Sequence, residues 1–154
     1  MRLRKLAVFA LLAGLSGQGS GHAARQIYDD TANARRQILN AVRAAFQSKR
    51  NIVLVFGANW CPDCQALHAE MVGPLASMMQ RYFVVVPISV GNYDRNKDVA
   101  RQYHVSLARG IPAIAILDAH GKLLHAEKPG EFSNAGSMSP SVFAAFFKKW
   151  EPQR

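Results

Sequence analysis

Long apolar runs alternate along this chain with polar, glycine-bearing stretches, and the period of each run predicts its element. Residues Ile52-Val53-Leu54-Val55-Phe56 are continuously apolar, as a central strand covered on both faces must be. Ahead of them, Ile38, Val42 and either Ala45 or Phe46 recur at spacings of three and four. That spacing predicts an amphipathic helix capped by Asp30-Thr31 and running to about Ser48. Downstream, Leu67 and Met71 mark the core face of another helix, which Gly73-Pro74 bends or interrupts before a helical stretch over 75–82. Residues 83–90 read as a second strand. Pro87 cannot donate to a sheet ladder, so it belongs at an edge or a bulge. A polar turn at 92–96 leads into a short helix over 97–103. Ile114-Ala115-Ile116-Leu117 makes a strand, and Asp118-Ala119-His120-Gly121 turns it into an antiparallel partner at 122–126. Residues 127–137, rich in Gly, Ser and Pro, read as a flexible loop. Ser139 then caps a last helix with Pro140 at its first position. Val142, Phe143, Phe146, Phe147 and Trp150 form its buried stripe, a core feature rather than a ligand box.

This order implies an α/β chain with a central mixed sheet flanked by helices on both faces, its parallel strands joined by helical crossovers. At 154 residues and 49% hydrophobic composition, the chain supports one compact domain, and no internal repeat is visible.

The first residues follow a different plan. Arg2, Arg4 and Lys5 precede an apolar run at 6–15, then small and polar residues to Gly21, then His22-Ala23. This is the three-part pattern of a secretory signal peptide, with cleavage expected after Ala23, so that residues 1–23 are the signal and 24–154 the mature domain. A retained membrane anchor fits less well, since the run is only about ten residues against the roughly 20 needed to span a bilayer. No cysteine follows directly to carry a lipid, and a periplasmic location is expected. Losing Arg2, Arg4 and Lys5 lowers the net charge by three, from +9 to +6. The remaining basic residues are scattered, as at Arg35-Arg36, Lys49-Arg50 and Lys148-Lys149, with no aromatic-interleaved stripe. A solvated surface, not a nucleic-acid site, is the reading they support.

Candidate chemistry lies at Trp60-Cys61-Pro62-Asp63-Cys64, which holds the chain's only two cysteines, just after the first strand. At a strand-to-helix junction this is a redox dithiol. Unpaired N–H groups and the helix dipole would stabilise a Cys61 thiolate, and Cys64 would lie one turn behind it. Cys61 is then the attacking sulfur and Cys64 the resolving one. Pro62 suits the first helical turn, where its missing N–H has no partner to lose. Asp63 favours the helix start but opposes the thiolate, making Cys61 less acidic than a neutral residue would. Other readings are weaker. So short a loop constrains the unfolded chain little as a structural disulfide. No second Cys pair or close His pair completes a zinc site, so no metal and no cofactor is expected. His68, one turn after Cys64, reads as an ordinary helix-surface histidine.

Two motifs resemble the thioredoxin superfamily over residues 32–150. One is Phe56-Gly57-Ala58-Asn59-Trp60-Cys61-Pro62-Asp63-Cys64. The other is Tyr103-His104-Val105 followed by Gly110-Ile111-Pro112-Ala113. The resemblance implies the thioredoxin-like fold, a cis Ile111–Pro112 bond against the dithiol, and substrate contacts at Trp60, Ile111 and Pro112. The backbone of Ile111 would pair with an extended substrate strand. There are departures. Thioredoxins carry a buried carboxylate six residues before the first cysteine, where this chain has Val55, so water or another group would move the proton of the resolving thiol. Pro62-Asp63 replaces their Gly-Pro and looks like the pair of some small thioredoxin-related reductases. Residues 54–67 also resemble exported thioredoxin-like domains, and 106–109 lengthen the approach to the proline.

A thiol–disulfide oxidoreductase is therefore expected. It would act in the reducing direction on exported protein disulfides, be fed by a membrane thiol donor, and work as a monomer. A disulfide oxidase or isomerase, and a client-binding or assembly module in which the dithiol is secondary, are the alternatives. Export is checked directly: the intact mass of protein recovered from the periplasm should lack residues 1–23, and a mass that includes Met1 would overturn the expectation.

Overall fold

The computed structural model describes residues 26–153, so the expected signal peptide and its cleavage point lie outside the described residues. Helix α1 (Ala34–Ser48) begins at Asn33, whose side chain accepts from the Arg36 N–H at 3.0 Å. The cap expected at Asp30-Thr31 is used otherwise. Asp29 takes both the backbone N–H and the hydroxyl of Thr31, at 2.8 and 2.7 Å, and Asp30 accepts from the Ser89 hydroxyl, which holds the chain in a turn ahead of the helix. The buried stripe of α1 is Ala34, Ile38, Ala41 and Ala45, with Val42 half-buried and Phe46 outside it against His120.

Strand β1 (Asn51–Gly57) is buried along its whole length. It pairs in parallel with β2 (Phe83–Ser89) and antiparallel with β3 (Ala113–Leu117), and β3 pairs antiparallel with β4 (Leu123–Ala126). The sheet order is β2-β1-β3-β4, so the continuous apolar run is indeed interior and Pro87 sits on an edge strand. Between β1 and β2 run α2 (Pro62–Val72) and α3 (Ala76–Tyr82), separated at Gly73-Pro74. α4 (Lys97–Gln102) and α5 (Pro140–Lys149) complete the helices. α1 packs on β1 and β2 and meets α4 through Arg35, which bonds Asp98 and Gln102, each at 2.7 Å. The other face carries α2, α3 and α5: Val55, Phe83, Val85 and Pro87 point toward Met71 and Met79, and Phe83 meets Phe147 with centroids 5.8 Å apart. Helices thus cover both faces of a mixed sheet.

Three further expectations are corrected. On α5, Phe143 and Phe147 are buried and Phe146 and Trp150 partly so, but Val142 stays exposed, and the Ser139 hydroxyl meets Ser141 instead of capping a backbone N–H. Residues 127–137 are a packed segment, not a loose loop. Phe132 is fully buried, with its ring 4.8 Å from Phe146 and 6.0 Å from Phe143. A short 3-10 turn (Ala135–Ser137) rests on α2, where the Gly136 N–H donates to Asp63 at 2.8 Å. The glycines and serines bend the chain while one aromatic anchors it. Phe132→Ala should therefore lower stability by about 3–5 kcal/mol in urea unfolding, as for other buried aromatics. A change under about 1 kcal/mol would mean that the segment does not pack in solution.

Candidate active site

Strand β1 ends at Gly57, and three residues later the chain turns into α2 with Cys61 as its N-cap in an extended conformation. Where a cap is usually an oxygen, here it is sulfur: the Cys64 N–H points at Cys61 Sγ at 3.1 Å. Pro62 occupies the first helical position. Cys61 and Cys64 are joined as a disulfide, their Cα atoms 5.3 Å apart, a separation suited to bonding without backbone rearrangement. The helix start and the capping N–H favour negative charge on Cys61 once the bond opens. Cys64, deeper in the core, shows no exposed surface.

Because Phe56 pairs with Ala113, the start of β3 brings Ile111-Pro112 alongside the dithiol loop. The Ile111–Pro112 bond is cis, and Cys61 Sγ lies 3.5 Å from the Ile111 carbonyl oxygen. The disulfide sulfur has no hydrogen to give, whereas a Cys61 thiol does, so that carbonyl can hold the reduced, neutral form. Trp60 is half-exposed at the rim, its indole N–H donating to the Gly91 carbonyl at 2.9 Å and its ring 5.9 Å from Tyr93. The seven residues singled out in the sequence therefore fall in one place: Trp60 through Cys64 on one loop and helix start, Ile111 and Pro112 facing them. His68 is half-buried, not a plain surface residue. With Tyr28, Val55 and Met71 it lines a cavity of about 430 Å³, and burial pushes its pKa below the usual histidine range.

Three neighbours carry no signal of their own in the sequence. Asn59 accepts from the backbone N–H groups of Ile27 and Tyr28, both at 3.0 Å, and donates to the Tyr28 carbonyl at 2.7 Å, pinning the lead-in segment to the dithiol loop. Tyr28 is buried beneath that loop, and burial raises its pKa well above the ordinary phenol value. Glu127 follows β4, its N–H bonded to the Ile114 carbonyl at 3.0 Å, which places it one strand beyond the residue facing Val55. Its carboxyl is buried, and neither oxygen makes a hydrogen bond of normal geometry among the described residues. The nearby Ile114 backbone offsets that burial only in part. The one hint available for these neighbours was Gly57, a glycine at the end of a buried strand, where something must come close.

A family model described as a thioredoxin-like domain matches residues 39–148. Among solved structures, the disulphide isomerase from Xylella fastidiosa Temecula1 is 36% identical, with a TM-score of 0.77, over 83% of this chain and 98% of that one. Deadhead (Thioredoxin-1) from Drosophila melanogaster is 21% identical with a TM-score of 0.53, over 75% and 93% of the two chains. A thioredoxin from Thermus thermophilus is 20% identical with a TM-score of 0.53, over 73% and 82%. The last two share the fold. No curated protein sequence matches the chain.

Burial pushes the Glu127 carboxyl up from 4.5 to about 8. Between those values the folded chain holds a proton that the unfolded chain has lost, so stability from this group is full below the lower value and declines as pH rises toward 8. Glu127→Gln, which keeps the shape of the protonated acid, should flatten that decline and exceed the parent in stability at alkaline pH by on the order of a few kcal/mol. Urea unfolding at several pH values reads it out. An unchanged pH slope would show that Glu127 does not titrate in this window.

Proposed function

The chain belongs to the thioredoxin-like family and is a thiol–disulfide oxidoreductase; from that premise we propose that it is an exported reductase of protein disulfides. The observation that carries the roles is the asymmetry of the two sulfurs. Cys61 caps α2 and receives the Cys64 N–H, while Cys64 lies fully buried behind it. Cys61 thiolate attacks a substrate disulfide, forming a Cys61–substrate bond and releasing one substrate thiolate, which takes a proton from solvent. Cys64 then loses its proton and attacks Cys61 Sγ. The internal disulfide closes, the second substrate thiolate leaves, and two electrons have passed to the substrate.

Pro112 shapes the groove beside the dithiol, the Ile111 backbone docks an extended substrate strand, and Trp60 forms the rim against which that strand lies. Pro62 and Asp63 set the helix start. The protein works as a monomer in the periplasm, and each turnover needs two electrons returned by a membrane thiol donor. The leader-like residues 1–23 and the thioredoxin-like residues flanking the dithiol support this reading.

A second reading has its own support: the 36%-identical relative is described as a disulphide isomerase. An isomerase or oxidase has a dithiol–disulfide couple of relatively high potential, whereas that of a reductase is poised low. Equilibration in graded glutathione buffers decides between them. A Cys61–Cys64 potential near about −270 mV is expected for the reductase, and one between roughly −180 and −120 mV would reverse the direction. Cys64→Ser should trap a substrate on Cys61. If client binding and function both survive in the Cys61→Ser, Cys64→Ser double variant, the dithiol is secondary and the protein is a binding module.

A further inference from the structure

Gly57 has no left-handed backbone to account for it. What requires a glycine there is a close approach. A β-carbon at 57 would overlap the Tyr28 hydroxyl oxygen, stand 2.5 Å from Tyr28 Cζ, and stand 3.0 Å from Cys64 Sγ. The phenol and the resolving sulfur therefore border one methyl-sized niche, and the absent side chain is what lets the hydroxyl in. The placement is built, not incidental. Asn59, two residues before Cys61, makes three hydrogen bonds to the backbone of residues 27 and 28, and these fix where the ring enters the core.

Burying a phenol costs free energy unless its hydroxyl has a use. The resolving sulfur, bordering the same niche, is placed to supply one once the disulfide opens. Cys64 is fully buried, and Val55, on the neighbouring strand position, brings no polar group to it. Of the titratable groups around α2, Asp63 is occupied by the Gly136 N–H, His68 and Glu70 lie a turn and more along the helix from Cys64, and Glu127 lies on the far side of β3. Tyr28 brings its polar atom to the niche beside Cys64 Sγ itself.

We propose that the Tyr28 hydroxyl is the hydrogen-bond donor that stabilises the Cys64 thiolate whenever the Cys61–Cys64 bond opens. When a thiolate attacks Cys61 Sγ, the new bond forms there, the internal bond breaks, and its electron pair leaves on Cys64 Sγ. The phenol donates to that charge and keeps its own proton, because burial holds it neutral. The thiolate is later protonated from solvent. In the opposite direction, Cys64 loses its proton to solvent, and the same hydrogen bond favours the thiolate that attacks. The step is common to reductase, oxidase and isomerase, so it rests on the dithiol chemistry and not on the proposed direction of electron flow.

Tyr28→Phe keeps the ring and removes the donor. In a Cys61→Ser background, which isolates Cys64, thiolate ultraviolet absorbance against pH should show the Cys64 pKa raised by about one unit or more, the scale of a hydrogen bond to a charged group. In the intact dithiol, resolution of a glutathione mixed disulfide on Cys61 should slow about tenfold at neutral pH. The Cys61 pKa, measured in a Cys64→Ser background, should stay in place, whereas general loosening of the loop would move both. An unmoved Cys64 pKa, or equal shifts at both sulfurs, overturns the proposal. Should Tyr28→Phe fail to fold, site-specific 3-fluorotyrosine at position 28, a stronger donor of nearly the same shape, should lower the Cys64 pKa; no shift, or a rise, overturns it equally. A reduction potential outside the reductase range would reverse the direction of flow and leave this result standing.

Discussion

Strand β1 is held from every side, and the dithiol inherits its position from that. The strand is buried on both faces and hydrogen-bonded on both edges, to β2 and to β3, so it has no free direction in which to shift. A slip of one residue would turn Val55 toward α1 and drive Phe56 into the face of α2, exchanging the residues that the two covering layers have to fit. With β1 fixed, Gly57 ends at a set point. The three residues after it have only enough reach to deliver Cys61 as the cap of α2, and the pairing of Phe56 with Ala113 sets Ile111-Pro112 opposite. The redox centre is thus the joint of two loops whose ends the sheet has already placed.

Two segments outside the regular elements then hold α2 in register. At its start, Asn59 fastens the lead-in residues 27 and 28. On its first turn, Asp63 fastens the segment 127–137 through Gly136. Each link joins residues distant in sequence, 31 to 32 apart in the first case and 73 in the second. Phe132 and Tyr28 supply the apolar weight behind these polar clips, both fully buried. The hydrogen bonds alone would be worth about 1 kcal/mol each and could not order so much chain. The aromatic burial supplies the stabilisation, and the polar clips supply the geometry.

The elements with strong periodicity were legible from residues alone: the apolar run of β1, the Leu67 and Met71 face of α2, the turn at Asp118 to Gly121. So were the dithiol and its facing proline, because their spacing carries chemistry. What escaped the sequence depends on partners that pattern does not reveal. Asp30-Thr31 has the right residue types for a cap, yet Asp29 and Ser89 compete for those groups and Asn33 takes the role. Glycine and serine in 127–137 suggest looseness, and a single Phe132 outweighs them. Glu127 opens the stretch read as a flexible loop, and the end of β4 turns it inward. Tyr28 sits in a polar lead-in with no periodicity, and only the glycine at 57, far along the chain, records its presence.

The electrostatics of the site follow from which groups are charged. A carboxylate at position 55 would accept the Cys64 proton but would repel the resulting thiolate. A neutral phenol does the reverse: it favours the thiolate and leaves the proton to solvent. Stabilising either sulfur as thiolate stabilises the reduced dithiol and so raises its potential. The Cys64 N–H on Cys61 and the start of α2 act in that sense, as does the hydroxyl at Tyr28. Asp63 acts against it, since a carboxylate on the first turn of α2 penalises negative charge on Cys61. A hydrogen bond to a charged group and a neighbouring unit charge at the protein surface are each worth about 1–3 kcal/mol, and 1.4 kcal/mol corresponds to 30 mV in this couple. The opposing groups can therefore move the potential by tens of millivolts each way, a sizeable share of the span between reductases and oxidases. Tyr28 at one sulfur and Asp63 at the other thus act on the potential in opposite senses.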